Sequence, residues 1–158
     1  MLVRAHSLSR RSSRRGGTLV ETAIVLPLIM LFILGVFEYS RYLMMVHLST
    51  NAAREACRYA VSHSQPVTVG GTTQGNATSD VTNVVTSYMA GQTLASQSVQ
   101  VYQSDSLGNN TGSWNNAAAG QYVCVKITGN FLSAMPSFLY MPSSLPIQAQ
   151  AVMTAEGN

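Results

Sequence analysis

Glu21 is the residue of this sequence whose position most clearly calls for ion-pair chemistry. It stands at the start of an apolar stretch, and residues 22 to 37 carry no charge. A carboxylate inside a membrane-length apolar segment costs roughly 2.5–3.5 kcal/mol on insertion scales, so it needs a partner. The alternative is a solvated acid at the level of the lipid headgroups, where the positive end of a helix dipole favours it.

The other titratable side chains do not form a recognisable catalytic or metal-binding set. Asp80, Asp105 and Glu156 are isolated, and no serine stands in a recognisable context with a paired base. The three histidines lack ligand spacing, and two cysteines make no zinc site without histidine support. We therefore predict a protein that is not an enzyme and that holds no cofactor or metal.

Positive charge is concentrated before Gly16, where five of the nine basic residues lie. From Gly17 onward, four basic residues stand against six acidic ones, a net charge of −2. The part of the chain from Gly17 onward therefore has no basic surface that could bind nucleic acid. Basic residues before an apolar segment instead retain an N-terminus in the cytoplasm, which predicts a C-terminal part outside it, external or periplasmic.

The elements that position Glu21 begin with the stretch from Gly17 to Phe37, which has about the 20 residues that a membrane-spanning helix needs. A cleaved secretory signal is the alternative. However, Phe37-Glu38-Tyr39-Ser40-Arg41 offers no small-x-small cleavage site. We predict a single-pass anchor in lipid, in a helix that runs from about Thr18 to His63 with a kink at Pro27.

Beyond the apolar stretch, the same helix has one small face and one polar face. The small face carries Ser49, Ala52, Ala53, Ala56, Cys57 and Ala60. The polar face carries Asn51, Arg54, Glu55 and Arg58. Small residues allow close packing, so this half of the helix is predicted to form the spine of a C-terminal domain. The polar face is either a docking surface or a solvated face.

The remaining sequence predicts a small α+β domain. A loop from Gln65 to Asn76 precedes a second helix, which starts at Thr78 or Ser79 and ends near Ala90. Alternating apolar residues predict strands near 97–104, 121–128 and 147–155, in a three-stranded, mostly antiparallel sheet. The chain thus divides into a leader (1–16), a transmembrane and spine helix (17–63) and an external domain (64–158).

Cys57 and Cys124 are the two cysteines. Both fall outside the cytoplasm on the predicted topology, where disulfides persist. Cys57 borders the small face of the helix and Cys124 lies mid-strand, which makes a bridge plausible. Against the bridge, Cys124 shares a strand face with Lys126, so two independent buried thiols are the alternative.

Three local patterns resemble the TadE-like pseudopilins of the tight-adherence (Flp) pilus system, within the type IV pilin superfamily. The first is Arg14-Arg15-Gly16, followed by Glu21 and the step Leu26-Pro27-Leu28. The second is Glu38-Tyr39-Ser40-Arg41. The third is the block from Asn51 to Ala60. The chain departs from the family pattern at Thr22, where the family typically carries an aromatic residue.

This resemblance implies that a prepilin peptidase in the inner membrane removes the basic leader after a glycine. Cleavage after Gly16 makes Glu21 the fifth mature residue and is favoured over cleavage after Gly17. Glu21 is then expected to pair with the new amine, on a neighbouring subunit or its own. The polar face of Asn51, Arg54, Glu55 and Arg58 becomes a candidate docking surface for other pilins or pseudopilins.

The resemblance favours a minor pseudopilin, a non-enzymatic component that works with the inner-membrane assembly platform. A major fibre subunit is one alternative, although the external domain is large for the short Flp major pilin. A single-pass anchored binding module is another, and it would keep its leader in the mature protein.

Overall fold

The structure is a computed structural model that describes residues 15–65, 67–69, 72–74, 77–134 and 142–155. The described residues up to Phe37 belong to one compact unit, and those from Glu38 onward belong to a second unit. We call the second unit the C-terminal domain. Most of the predicted leader, residues 66, 70, 71, 75 and 76 of the predicted loop, residues 135–141 between the last two predicted strands, and residues 156–158 lie outside the described residues.

A single helix, α1 (Arg15–Ser62), contains the whole apolar stretch and confirms the predicted long helix. Pro27 lies inside it. Its most apolar window of 18 residues has a mean hydropathy of 2.5, and none of that window is buried. Because burial in a soluble core does not account for this surface, the helix fits a single-pass membrane anchor.

The C-terminal domain contains a four-stranded antiparallel sheet rather than the predicted three strands. Its strands are β3 (Ala95–Ser104), β4 (Asn110–Gly112), β5 (Tyr122–Leu132) and β6 (Ser144–Thr154), in the order β4-β3-β5-β6. The three predicted strands correspond to β3, β5 and β6. The fourth, β4, falls in a segment that the sequence predicts as loop. It pairs only with the end of β3, at Gln103 and Ser104.

A separate two-stranded hairpin also replaces part of a predicted loop. It consists of β1 (Val67–Val69) and β2 (Thr72–Gln74), paired antiparallel. Each strand has three residues. Such short strands give no alternating pattern long enough to separate them from a turn-rich loop, which is why the sequence predicts a loop there.

The core lies between the small face of α1 and one face of the sheet. All six residues of that helix face are fully buried, as predicted: Ser49, Ala52, Ala53, Ala56, Cys57 and Ala60. On the sheet, Val125 stands opposite Val101 on one side and Ala151 on the other. Facing pairs point to the same side of a sheet, so these residues form a continuous apolar surface. Alanines on both partners allow the helix to approach closely.

A second helix, α2 (Thr78–Tyr88), packs on the same core through Val81 and Val85. The negative charge of Asp80, in the first turn, interacts favourably with the positive end of the helix dipole. A short 3-10 helix (Trp114–Asn116) brings Trp114 into the core. The indole Nε1 of Trp114 donates a hydrogen bond of 3.2 Å to the Thr78 hydroxyl, which joins the two helices.

The other face of the sheet is partly covered by the turn between β3 and β4. Gly108, at a φ of +87°, places its carbonyl oxygen where the Tyr102 hydroxyl and the Gln150 amide donate to it. Asp105 holds the turn by accepting from the Leu107 and Asn109 amides. Hydrogen bonds from the side chain and backbone of Asn109 lower the pKa of Asp105. Burial raises the pKa of Tyr102 to about 12.

Candidate functional site

The candidate processing and pairing residues lie in the first turns of α1. Gly16 and Gly17 are both helical, and nothing lies within 4 Å of the position that a Cβ at Gly17 would take. Glu21 is exposed, and among the described side chains it makes no ion pair. Residues four apart share a helix face, so Glu21 lies one turn from Gly17 on the same side. The neighbouring Thr22 hydroxyl donates to the Thr18 carbonyl at 2.8 Å.

The surface around Glu21 is apolar and open along the whole N-terminal unit. Its exposed side chains include Leu19 (72%), Leu28 (65%) and Phe32 (72%). In water, a surface of this extent requires a cover, and a lipid bilayer provides one for a helix of this length. Glu21 is the one acidic residue within it.

The predicted polar face lies further along α1, in the C-terminal domain. Asn51, Arg54 and Arg58 are exposed, and Glu55 is half-buried. Arg58 and Glu55 form an ion pair with 3.6 Å between Nη1 and Oε2. Because both side chains remain in contact with water, this pair contributes little to stability. Beside it, a groove runs between the end of α1 and residues 152–154 of β6.

Glu38 makes a long-range contact that its local sequence does not indicate. The side chain is 7% exposed and accepts two hydrogen bonds of 2.7 Å. Arg41 Nη1 donates to Oε2, and the backbone amide of Ala134 donates to Oε1. The Arg41 guanidinium also lies 5.3 Å from the centroid of the Phe131 ring. Glu38 therefore fastens the end of β5 to the first turn of α1 within the C-terminal domain.

Residues 16–58 match the model of a protein family described as TadE-like protein. This segment of the chain is TadE-like. The match confirms the resemblance found in the sequence over these residues. No curated protein and no solved structure matches the chain.

The TadE-like segment contains each candidate site of α1 described above. It begins at the glycine pair, includes Glu21 and Glu38, and ends at Arg58, the last residue of the polar face. The sheet lies outside it. The family likeness therefore concerns the anchor and the spine, and the properties of the sheet have to be argued from its own contacts.

Cys57, within the TadE-like segment, and Cys124, on β5, are both fully buried free thiols. The Cys57 Sγ donates to the Val123 carbonyl at 3.3 Å. Cys57 belongs to the core on the α1 side of the sheet, whereas Cys124 alternates with Val123 and Val125 and points to the opposite face. A bridge requires the two Cβ atoms to lie about 3.8 Å apart, so this arrangement supports two independent thiols.

Clusters of metal-binding side chains are absent from the described part of the chain. No group of three His, Cys, Asp or Glu side chains is close enough there to hold an ion. The Ser62 hydroxyl lies 2.9 Å from His63 Nδ1, and the same ring nitrogen lies 2.9 Å from the Tyr59 carbonyl rather than from a carboxylate that could orient the ring as a base. The features that α1 does present are a charged residue, an exposed apolar surface and a polar face.

Proposed function

We propose that this protein is a minor pseudopilin, a non-enzymatic membrane component that acts in the assembly of a tight-adherence pilus. The observation that carries the proposal is the order of features in the TadE-like segment. A glycine pair, an acidic residue, an exposed apolar surface and a polar face follow one another along a single helix. A plain membrane anchor requires only the apolar surface.

The proposed mechanism starts with removal of the basic leader by a prepilin peptidase. Glycine suits the cleaved position because its missing side chain lets the strand lie close in a narrow protease cleft. Cleavage after Gly16 creates an amine on Gly17, one helical turn before Glu21. A charge pair between this amine and Glu21, within one subunit or between neighbours, offsets the cost of placing the carboxylate in lipid.

The remaining partners follow from the other two surfaces. The apolar helix remains in the inner membrane, with its N-terminus in the cytoplasm. Within the membrane it contacts lipid, other pilins and the assembly platform. The face formed by Asn51, Arg54, Glu55 and Arg58 then lies outside the cytoplasm and docks another pilin or pseudopilin. The exposure of its two arginines and the groove beside them support this role.

The mature N-terminus tests the first step. In cells that contain the prepilin peptidase, mass spectrometry is expected to find a protein that starts at Gly17, and in cells without it an intact leader. Gly16→Leu is expected to block cleavage because it adds a bulky side chain at the cleaved bond. Gly17→Ala is the matched control and should still be cut after Gly16. An intact Met1 in the presence of the peptidase would contradict the proposed function and would favour an anchored binding module.

The pairing role of Glu21 has a separate test. Glu21→Gln keeps the size of the side chain but removes the charge. A pair worth about 2 kcal/mol corresponds to a roughly 30-fold loss of complex. We expect a loss of this order in the pilin or pseudopilin partners recovered with the protein from detergent-solubilised membranes. Asp80→Asn removes one carboxylate on α2, outside both the apolar segment and the polar face, and is the control for the loss of a charge. Normal recovery with a correctly processed Glu21→Gln protein argues for a solvated acid.

A further inference from the structure

Exposed large apolar side chains continue on α1 for several residues after the C-terminal domain begins, with the exposed Ser40 among them. Tyr39 is 58% exposed, Leu43 37% and Met44 45%. The next exposed residues on this part of the helix, His47, Asn51 and Arg54, are polar. Among the described residues of α1, no large hydrophobic side chain after Met44 is exposed. The surface of the helix thus changes from apolar to polar between residues 44 and 47.

The end of β5 adds a fourth apolar side chain beside this part of α1. Leu132 is 58% exposed, and with Met44 it lines a groove of about 240 Å³ that also contains Arg41 and Phe131. The hydrogen bond from the Ala134 amide to Glu38 fixes the position of the end of β5 along the axis of α1. Glu38 is the residue that directly follows the apolar N-terminal unit. We call Tyr39, Leu43, Met44 and Leu132 the apolar rim.

The dimensions and charge of the apolar rim fit the interfacial layer of a membrane. Met44 lies about 9 Å beyond Glu38 along the helix. The polar interfacial layer adds roughly 5–7 Å on each side of the hydrocarbon. A helix tilt of about 40°, at the upper end of the range for membrane helices, reduces this rise to about 7 Å. The Glu38 carboxylate is turned into the domain and paired with Arg41, so the rim presents no unpaired charge to lipid. Tyrosine, here Tyr39, is enriched at this depth.

We propose that the apolar rim rests in the lipid headgroup layer, so that the C-terminal domain has a membrane contact of its own beside the anchor helix. This inference depends on the membrane anchoring in the proposed function, and it names the surface that meets lipid. Lipid is the occupant to which we commit, because Tyr39, Leu43 and Met44 follow the apolar stretch closely along the sequence of α1. The Glu38 pair has a physical role in this arrangement, since it shields a charge that lipid would otherwise contact.

Site-specific fluorescence in vesicles tests the proposal on the full chain. Leu132→Cys is labelled with bimane and reconstituted in vesicles of phosphatidylethanolamine and phosphatidylglycerol that contain brominated lipid. The native thiols are fully buried, so they should not take up the label. We expect a blue-shifted emission that is quenched by bromines near the headgroup and less by bromines near the acyl ends. Met44→Cys is expected to give the same result.

Two further positions separate failure of the rim from failure of the anchor. Leu28→Cys, in the N-terminal unit, should be quenched strongly by bromines near the acyl ends. Leu107→Cys, at the most exposed leucine of the described residues (82%), should show neither shift nor quenching. Quenching at Leu28 together with water-like emission at Leu132 would overturn the rim proposal and leave the anchor standing. A blue shift at Leu132 without quenching would mean that protein covers the rim, and it would also overturn the proposal. Loss of quenching at Leu28 would refute membrane anchoring itself.

Discussion

Replacing Trp114 with alanine is expected to lower the free energy of unfolding of the C-terminal domain by about 3–5 kcal/mol. Trp114 is 2% exposed and is the largest of the buried side chains. Its truncation leaves a cavity in the cluster that joins α1, α2 and the sheet, and removes the donor to Thr78. Urea unfolding of the full chain in detergent micelles measures the change. Circular dichroism is the suitable signal because the variant has no tryptophan.

Three matched variants separate the cavity from the hydrogen bond. Trp114→Phe keeps most of the ring volume, and Thr78→Val removes only the acceptor, so each is expected to cost about 1 kcal/mol. Leu107→Ala truncates a side chain that is 82% exposed and should change stability by less than about 0.5 kcal/mol. Equal effects of Trp114→Ala and Leu107→Ala would show that Trp114 is not a core residue.

The parts of the fold that were predictable are those with a repeated local signal. The uncharged stretch before Glu38 predicts a long apolar helix, and the regular spacing of small residues from Ser49 to Ala60 predicts a buried helix face. The structure confirms both in α1. In β5, the alternation of Val123, Val125 and Ile127 extends over enough residues to separate a strand from a helix. These features needed no knowledge of the rest of the chain.

The parts that were missed depend on partners far away in the sequence. The three residues of β4 are exposed and have no large apolar side chain, so their sequence gives no strand pattern, and they form a strand by pairing with the edge of β3. Cys124 was expected on a polar face, but the turn at Gly108 packs on that face and contributes to its burial. Glu38 shows the same limit. Its spacing from Arg41 suggests an ion pair, whereas its contact with Ala134 is 96 residues distant and leaves no local signal.

The contact of Glu38 with Ala134 leads to the second large effect. Glu38→Ala is expected to destabilise the C-terminal domain by about 3 kcal/mol, because it leaves the Ala134 amide and the Arg41 guanidinium without their acceptor. The Arg41 side chain is 37% exposed, so water can hydrate the guanidinium when its carboxylate partner is removed. The expected destabilisation is therefore at the low end of the range for breaking a buried ion pair. Glu38→Gln keeps an acceptor for the amide and should cost about 1 kcal/mol. Urea unfolding in micelles, followed by Trp114 fluorescence, gives both values.

The pair of Glu55 and Arg58 provides an internal control for this prediction. It has the same residue types at the same spacing, but its side chains are 36% and 70% exposed and its atoms are 3.6 Å apart. Glu55→Gln is therefore expected to change stability by less than about 0.5 kcal/mol. If Glu38→Ala and Glu55→Gln had equally small effects, Glu38 would not fasten β5 to α1. The level of Leu132 relative to Glu38, on which the lipid contact of the apolar rim depends, would then lose its support.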